Sequence, residues 1–514
     1  MSAHDYVIVG AGSAGCVLAG RLSEDPEVSV LLLEAGPPDT KPELHVPLGW
    51  LGLDNSETDW AYVSAPEGSL GGRRLTLHRG RTLGGSSSVN AMIYIRGLPA
   101  DYDDWRVPGW GWADLRPYFL KAEDNARGAS AEHAAGGPLH VADLVEPNLM
   151  AAAFIDAAVE AGERRNEDFN GGDQRGAGWF QVTQRDGARW SAADAYLHPV
   201  AGRPNLTVVT DSRVTGIEFD GDRASGVTTT RFGVAESHSA AREVIVSGGA
   251  YGSPHLLQLA GIGPADHLAS RGIEVRVDLP EVGANLSDHP TVALSWTSPE
   301  PVSLLNAFTP EAARAYAESR SGPLTSNGPE AGAFLRLGPG DGPAEAQIHA
   351  LPLPLLDEGS TDPPGHGIAL ATCVLQPRAR GEVRLAGANP LTLPIVRCDY
   401  WRDPEDLRVM REGLRRTLEI AGRPSLRRFC AEPLVLPAAT DDATLDAFIA
   451  RHTFSFFHAS GTCALGAVVD PSLRVHGVDG LRVVDASVLP RVPRGNTNAV
   501  VIAVAERAAD LIRG

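Results

Sequence analysis

The segment DYVIVGAGSAGCVLAGRLSEDPEVSVLLLEAG, residues 5–36, constrains the fold more than any other part of the chain. Tyr6 to Val9 read as a buried strand, and Gly10, Gly12 and Gly15 follow it as GxGxxG. Helical spacing then sets Val17, Leu18 and Leu22 on one side, and Val28 to Leu33 read as a second buried strand ending at Glu34. Each glycine meets a separate demand. Gly10 makes the tight turn, Gly12 lets backbone approach a pyrophosphate, and Gly15 lets the helix pack close to the strand. The helix start turns its free N–H groups toward the phosphates. Glu34 stands where a carboxylate accepts hydrogen bonds from ribose hydroxyls. The pattern predicts a dinucleotide site but does not separate FAD from NAD. An ordinary strand–turn–helix without a ligand is the alternative.

Size and charge narrow the rest. A chain of 514 residues exceeds the usual span of one hydrophobic core, so two closely packed domains are expected. The net charge of −19 leaves no basic footprint for nucleic acid or for an anionic membrane surface. There is no long apolar run of membrane-spanning type and no export signal at MSAHDYVIVG, and the five cysteines are scattered without CxxC. A cytoplasmic, disulfide-free protein without a metal site is the expectation. Only Lys41 and Lys121 could serve Schiff-base chemistry, and neither HExxH nor GxSxG occurs.

Along the chain, residues 37–77 lack clean periodicity and 149–162 look helical. Leu206 to Val209, Val214 to Phe219 and Gly226 to Thr230 read as strands, with DGDR as a hairpin turn. Val244 to Ser247 read as another buried strand, followed by a turn at Gly248, Gly249 and Gly252. Ser253 then reads as the N-cap and Pro254 as the first turn of a helix. Residues 290–400 alternate short β-like runs with loops, an antiparallel pattern. Helices are expected over 404–421 and 440–451, and a last one from Asn498 or Ala499. In HTFSFFHASGTCALG, residues 452–466, His458 is either a core histidine or a base.

Five segments in order carry a resemblance: VIVGAGSAGCVLAGRLSE, RGRTLGGSSSVNAMIYIRG, GGAYGSPHLLQLAGIGP, HASGTCALG, and the tail from VHGVDG to ADLI. Together they resemble the glucose–methanol–choline family of flavoprotein oxidoreductases over the whole chain. The resemblance implies an α/β protein: a discontinuous Rossmann-like FAD-binding domain with a substrate-binding domain built on an antiparallel β-sheet with helices. The expected partition is 1–145, 200–290 and 459–514 for FAD, and 146–199 and 291–458 for substrate. It implies oxidation of a primary alcohol, with aromatic or furan-type ones as candidates, by hydride transfer to flavin N5. O₂ or another acceptor then reoxidises the flavin. Hydroxynitrile lyases and fatty-acid photodecarboxylases of the same family are the alternatives.

Residue by residue, the family's active-site histidine falls on His458 and its second position on Asn496. A hydride leaves carbon readily only when the alcohol oxygen is losing its proton, so a base is needed, and histidine titrates near working pH. Asn496 would hydrogen-bond the developing oxyanion. The implied FAD contacts begin with Gly10, Gly12, Ser13, Ala14, Gly15, Glu34 and Ala35. They continue with Trp60, Arg81, Gly84, Gly85, Ser86, Asn90, Ala91 and Val214. Asp485, Ala486, Asn496, Thr497 and Asn498 complete them, Asn498 reading equally as a helix cap. Where some members link FAD through a histidine, this chain has Val89, which implies non-covalent FAD. Where choline-oxidising members can carry a glutamate after DHP, it has Thr291. Phe456 and Phe457 read either as an apolar substrate end or as core. His255 and His289 read as structural, with His289 as the reserve base.

Overall fold

The computed structural model describes residues 4–356 and 365–514. Its principal elements run β1 (His4–Val9), α1 (Ser13–Leu22), β2 (Val30–Leu33), α2 (Leu149–Glu160), β3 (Gly176–Trp179) and β4 (Leu206–Val209). They continue with β5 (Ser212–Asp220), β6 (Arg223–Arg231), β7 (Val234–Val246), α3 (Gly249–Leu259), β8 (Pro290–Thr297) and β9 (Ala331–Leu335). Next come β10 (Ala346–Leu351), β11 (Gly367–Val374), α4 (Pro404–Ala421), β12 (Pro433–Val435) and α5 (Asp442–His452). The chain ends on β13 (Thr453–Ser455), β14 (Leu481–Val483) and α6 (Asn498–Arg513).

Two seven-stranded sheets organise the molecule. In the first, β4, β2, β1, β7 and β14 lie side by side in parallel, the arrangement demanded by buried apolar strands joined through helices. β5 and β6 extend it as an antiparallel meander on the first half of β7. In the second, β12, β8, β11, β10, β9 and β3 run antiparallel, and β13 adds to β8. Its central strands, β8 to β11, are buried on both faces. Along β10, Ala346, Ile348 and Ala350 join the cluster packed with α2 and α4, while Gln347, His349 and Leu351 face the opposite way. On that opposite face, Ala293, Ala369 and Ala371 supply small side chains beside Leu351.

The hairpin at DGDR, the antiparallel sheet and the late helices stand as the sequence predicts. Three local expectations differ. The strand ending at Val246 begins at Val234, because it serves β6 before it serves β1. The run at 382–384 pairs with 395–397 in a separate ribbon rather than in the large sheet. The helix read from Ser253 starts at Gly249, so Ser253 and Pro254 lie inside it. Its start is held from 236 positions away: Asp485 accepts from Gly249 N at 2.9 Å and from Ser253 Oγ at 2.5 Å. Pro254 cannot donate to the Ala250 carbonyl, which accepts instead from Thr462 Oγ1 at 2.7 Å.

Packing follows the two sheets. Val7, Ile8, Val244 and Val483 share one core with α1 and α6. Ala192 to Leu197 pack into that same core, against α1, although they fall in the 146–199 stretch assigned to substrate binding from the sequence.

Candidate active site

A cavity of about 510 Å³ is lined from both sheets, from Val9 and Gly10 at one end to Phe454 and His458. Its construction begins at the glycine turn. Gly10 has φ +98°, a conformation favouring glycine, and a Cβ there would meet the Ser247 carbonyl at 2.5 Å. At Gly12 a Cβ would meet nothing within 4 Å; the backbone is bare on the cavity side. Gly15 is tight for another reason: a Cβ would strike the Gly10 carbonyl.

Two helix starts reach this wall without side-chain caps, α1 after Gly12 and α6 after Thr497. Each leaves N–H groups and the positive end of a helix dipole toward the cavity. They are tied together, for Ser13 Oγ donates to Asn498 Oδ1 at 2.7 Å. Glu34 accepts from Ala11 N and Gly36 N, at 2.9 and 2.8 Å, and burial raises its carboxyl to about 7. The Trp60 ring is met by the guanidinium groups of Arg81 and Arg213, at 5.5 and 5.2 Å from its centre. Ser247 Oγ, Tyr251 OH and Asn496 Oδ1 are buried without partners on this lining. Uncapped helix starts, a carboxylate at the end of β2 and orphaned polar atoms are what a dinucleotide such as FAD would complete.

The other end carries His458, only 8% exposed. Asp288 sets its backbone. One oxygen, Oδ1, accepts from His458 N at 2.7 Å and from His289 N at 2.8 Å; the other accepts from Ser455 Oγ and Tyr400 OH. Phe457, just before His458, has φ +64° and is held by Arg79, which donates to its carbonyl at 2.7 Å. Asn496 sits on a second clamp. Arg494 binds Asp101 through its side chain and its backbone N, and Gln174 donates to the Arg494 carbonyl. Gly495 leaves no room for a Cβ against Ile95. The two clamps bring Asn496 Nδ2 to 3.2 Å from His458 Nε2. Burial, then the neighbouring His289, His349 and Arg79, hold His458 well below the usual imidazole range. The ring is therefore neutral at neutral pH, a proton acceptor rather than a fixed cation.

Most residues singled out from the sequence meet on this one wall. Gly10, Gly12, Ser13, Ala14, Glu34 and Ala35 line it from the N-terminal segment. Trp60, Gly85, Ser86, Asn90, Ala91 and Val214 line its middle, and Asp485, Ala486, Asn496, Thr497 and Asn498 its far side. Gly15, Arg81 and Gly84 stand behind it: Gly15 at the helix–strand contact, Arg81 against Trp60, Gly84 donating from its backbone to Ala11. His289 lies behind His458, fully buried, and Phe456 and Phe457 both line the cavity. Tyr251, Ser247, Arg79 and Arg213 were not read as site residues, because nothing local marks them; only the fold brings them to the wall. Elsewhere, Asp39, Asp194 and His198 bring ligand-type atoms within 4.8 Å of one another. Hydrogen bonds to Asp194 and Asp39 raise His198 to about 10, so a protonated imidazole already balances the two carboxylates.

Two family models, both described as GMC oxidoreductase, match residues 4–291 and 377–505. An alcohol dehydrogenase [acceptor] of Pseudomonas putida is 43% identical over 526 residues, covering 99% of this chain and 95% of that protein. An oxygen-dependent choline dehydrogenase of Sinorhizobium fredii is 40% identical over 527 residues, with the same coverage of 99% and 95%. The crystal structure of pyridoxine 4-oxidase from Mesorbium loti superposes with a TM-score of 0.91 at 34% identity, covering 99% of this chain and 98% of that one.

Proposed function

The chain belongs to the GMC oxidoreductase family and is an FAD-dependent enzyme acting on alcohols; on that premise we propose that it oxidises a primary alcohol bearing an aromatic or furan-type group, with His458 as base and Asn496 as partner of the alcohol oxygen. The observation that carries the reading is the 3.2 Å approach of Asn496 Nδ2 to His458 Nε2 on the cavity wall. One oxygen can sit within reach of both atoms. Its O–H then donates to Nε2 while the oxygen accepts from Nδ2, and two hydrogen bonds replace one. As the proton moves to Nε2, the Asn496 bond strengthens on the developing negative charge. FAD, held in the way the cavity wall fits it, supplies the hydride acceptor.

The substrate class rests on what surrounds that oxygen. Phe454, Phe456, Leu351, Leu355 and Ala293 line this end, an apolar surface suited to a flat ring. A quaternary ammonium group calls for a carboxylate or an aromatic cage. Thr291, where choline-oxidising relatives can offer a glutamate, is fully buried and donates to the His289 carbonyl. Asp59 on the lining is committed to His78 at 2.5 Å, and Asp485 to Ser487, Gly249 and Ser253.

Anaerobic mixing of the holoenzyme with an alcohol panel tests the reading. Benzylic and furfuryl alcohols are expected to bleach the flavin faster than choline; preferential bleaching by choline would overturn it. Air admitted afterwards, with peroxide detection, decides whether O₂ or another acceptor takes the electrons. The free, buried thiols support a cytoplasmic setting.

A further inference from the structure

His458 has a second ring nitrogen, and its surroundings fix where its proton lies. The chain of bonds starts at the Leu375 carbonyl, 3.0 Å from His289 Nε2. A carbonyl only accepts, so His289 carries its hydrogen on Nε2. His289 is fully buried, and burial lowers it to about 4, so the ring is neutral and holds one proton. Its Nδ1 is therefore a lone pair. That lone pair faces His458 Nδ1 at 2.8 Å, with the rings nearly perpendicular at 86°. Two lone pairs cannot share such a contact, so His458 Nδ1 bears the hydrogen. His458 Nε2 is left as the acceptor, facing the Asn496 amide and the cavity.

We propose that His289 is a positioning residue for the reaction: by accepting from His458 Nδ1–H it holds His458 in the tautomer whose Nε2 lone pair faces the alcohol. Asp288 supports the arrangement, because the same carboxylate oxygen binds both backbone N–H groups and so fixes the two rings against each other. The chain of bonds also has a direction. It ends on the Leu375 carbonyl, which cannot take up a proton, so His289 does not relay the proton away. A proton taken at Nε2 stays on His458 until it leaves through the cavity. The remaining groups that face His458 are His349 and Arg79, both of which disfavour the protonated ring. This inference rests on the reading of His458 as base.

The test uses two readouts on the holoenzyme. Proton–nitrogen correlation spectra of ¹⁵N-histidine-labelled enzyme, with His458 assigned by its loss in His458→Gln, report the tautomer directly. His458 is expected with hydrogen on Nδ1 and a pyridine-type Nε2. In His289→Leu that pattern is expected to become mixed. Anaerobic flavin reduction in His289→Leu is expected to slow by at least about tenfold, with little change in half-saturating alcohol. The roughly 10⁴-fold loss caused by a wrong tautomer in a serine-protease triad is the ceiling. His289→Asn, whose carbonyl oxygen can still accept, is expected to recover most of the rate. A native enzyme with hydrogen on His458 Nε2 would overturn the positioning role alone, even if no His289 variant folds. Reduction at the native rate in His289→Leu would do the same. A His458→Ala enzyme that reduces its flavin at the native rate would overturn the base reading, and the positioning role with it.

Discussion

At the residue scale, the acid limb of the reaction follows from where His458 sits. The sequence reading puts the loss of the histidine proton in the ordinary imidazole range, so flavin reduction is expected to rise with pH there. Burial moves that window down. Because the folded ring is neutral well below the usual value, the rate is expected to be flat across neutral pH and to fall only as pH drops below the ordinary histidine range. Stopped-flow reduction from pH 5 to 9 checks this, and a midpoint near or above 6.5 would contradict the burial argument. Asn496→Ala is expected to slow reduction less than loss of the base, by on the order of 10²–10³ at most, as for one oxyanion donor. Glu34→Ala is expected to loosen FAD, since each charge-assisted bond to the ribose contributes roughly 1.5–3 kcal/mol. Titration of the apoprotein with FAD measures it, and unchanged affinity would remove Glu34 from the ribose. Glu34 and Gly10 were legible because each answers a local demand of its own segment, whereas His458 was singled out only by the family resemblance, its own segment leaving a core histidine equally open. The tautomer of His458 was not, since it depends on the His289 ring, 169 positions away, and on the Leu375 carbonyl that His289 meets in turn, contacts that no local spacing or pattern marks.

At the scale of elements, α3 shows why a local reading misplaces a helix start. Ser253 and Pro254 satisfy the usual rules for a cap and first turn, yet Asp485 holds the helix open one turn earlier and Thr462 covers the carbonyl that Pro254 leaves free. Both partners come from the far end of the chain. Thr462→Val is therefore expected to strand the buried Ala250 carbonyl, at a cost of about 1–3 kcal/mol in chemical denaturation. A loss below about 0.5 kcal/mol would mean that the carbonyl finds another partner. A second prediction concerns His133, which is buried with one ring nitrogen 2.9 Å from Glu123 and the other 2.9 Å from Asp168. Hydrogen bonds to Asp168 and Glu123 raise His133 to about 9. A histidine raised on folding stabilises fully below its unfolded value near 6.5, and that stabilisation is lost as pH rises toward and through about 9. The melting temperature is expected to fall from pH 7 to pH 10, with a shallower fall in His133→Gln. An equal slope in both proteins would exclude His133 as the group responsible.

At the scale of the whole molecule, a largely parallel sheet and an antiparallel sheet both line one cavity, and segments from the start, middle and end of the chain reach it. The class of each sheet was legible from apolar patterning, whereas their mutual placement, which makes the site, needed the fold. Val89 lines the cavity with no nucleophile, so acid precipitation is expected to release all the FAD into the supernatant; flavin left in a washed pellet would contradict this. All five cysteines are buried and free, and thiol titration of the denatured, unreduced protein is expected to find five. Among the described residues, no helix is long and apolar enough to cross a membrane. The central claim is that this architecture brings His458 and Asn496, 38 positions apart, together to deprotonate an alcohol. The most direct measurement is the single-turnover rate of anaerobic flavin reduction in His458→Ala holoenzyme, with FAD content and melting temperature matched to the native protein. A loss of at least the roughly 10²–10⁴-fold typical of a missing general base is predicted. Reduction at the native rate would contradict the account and return His458 to a structural role.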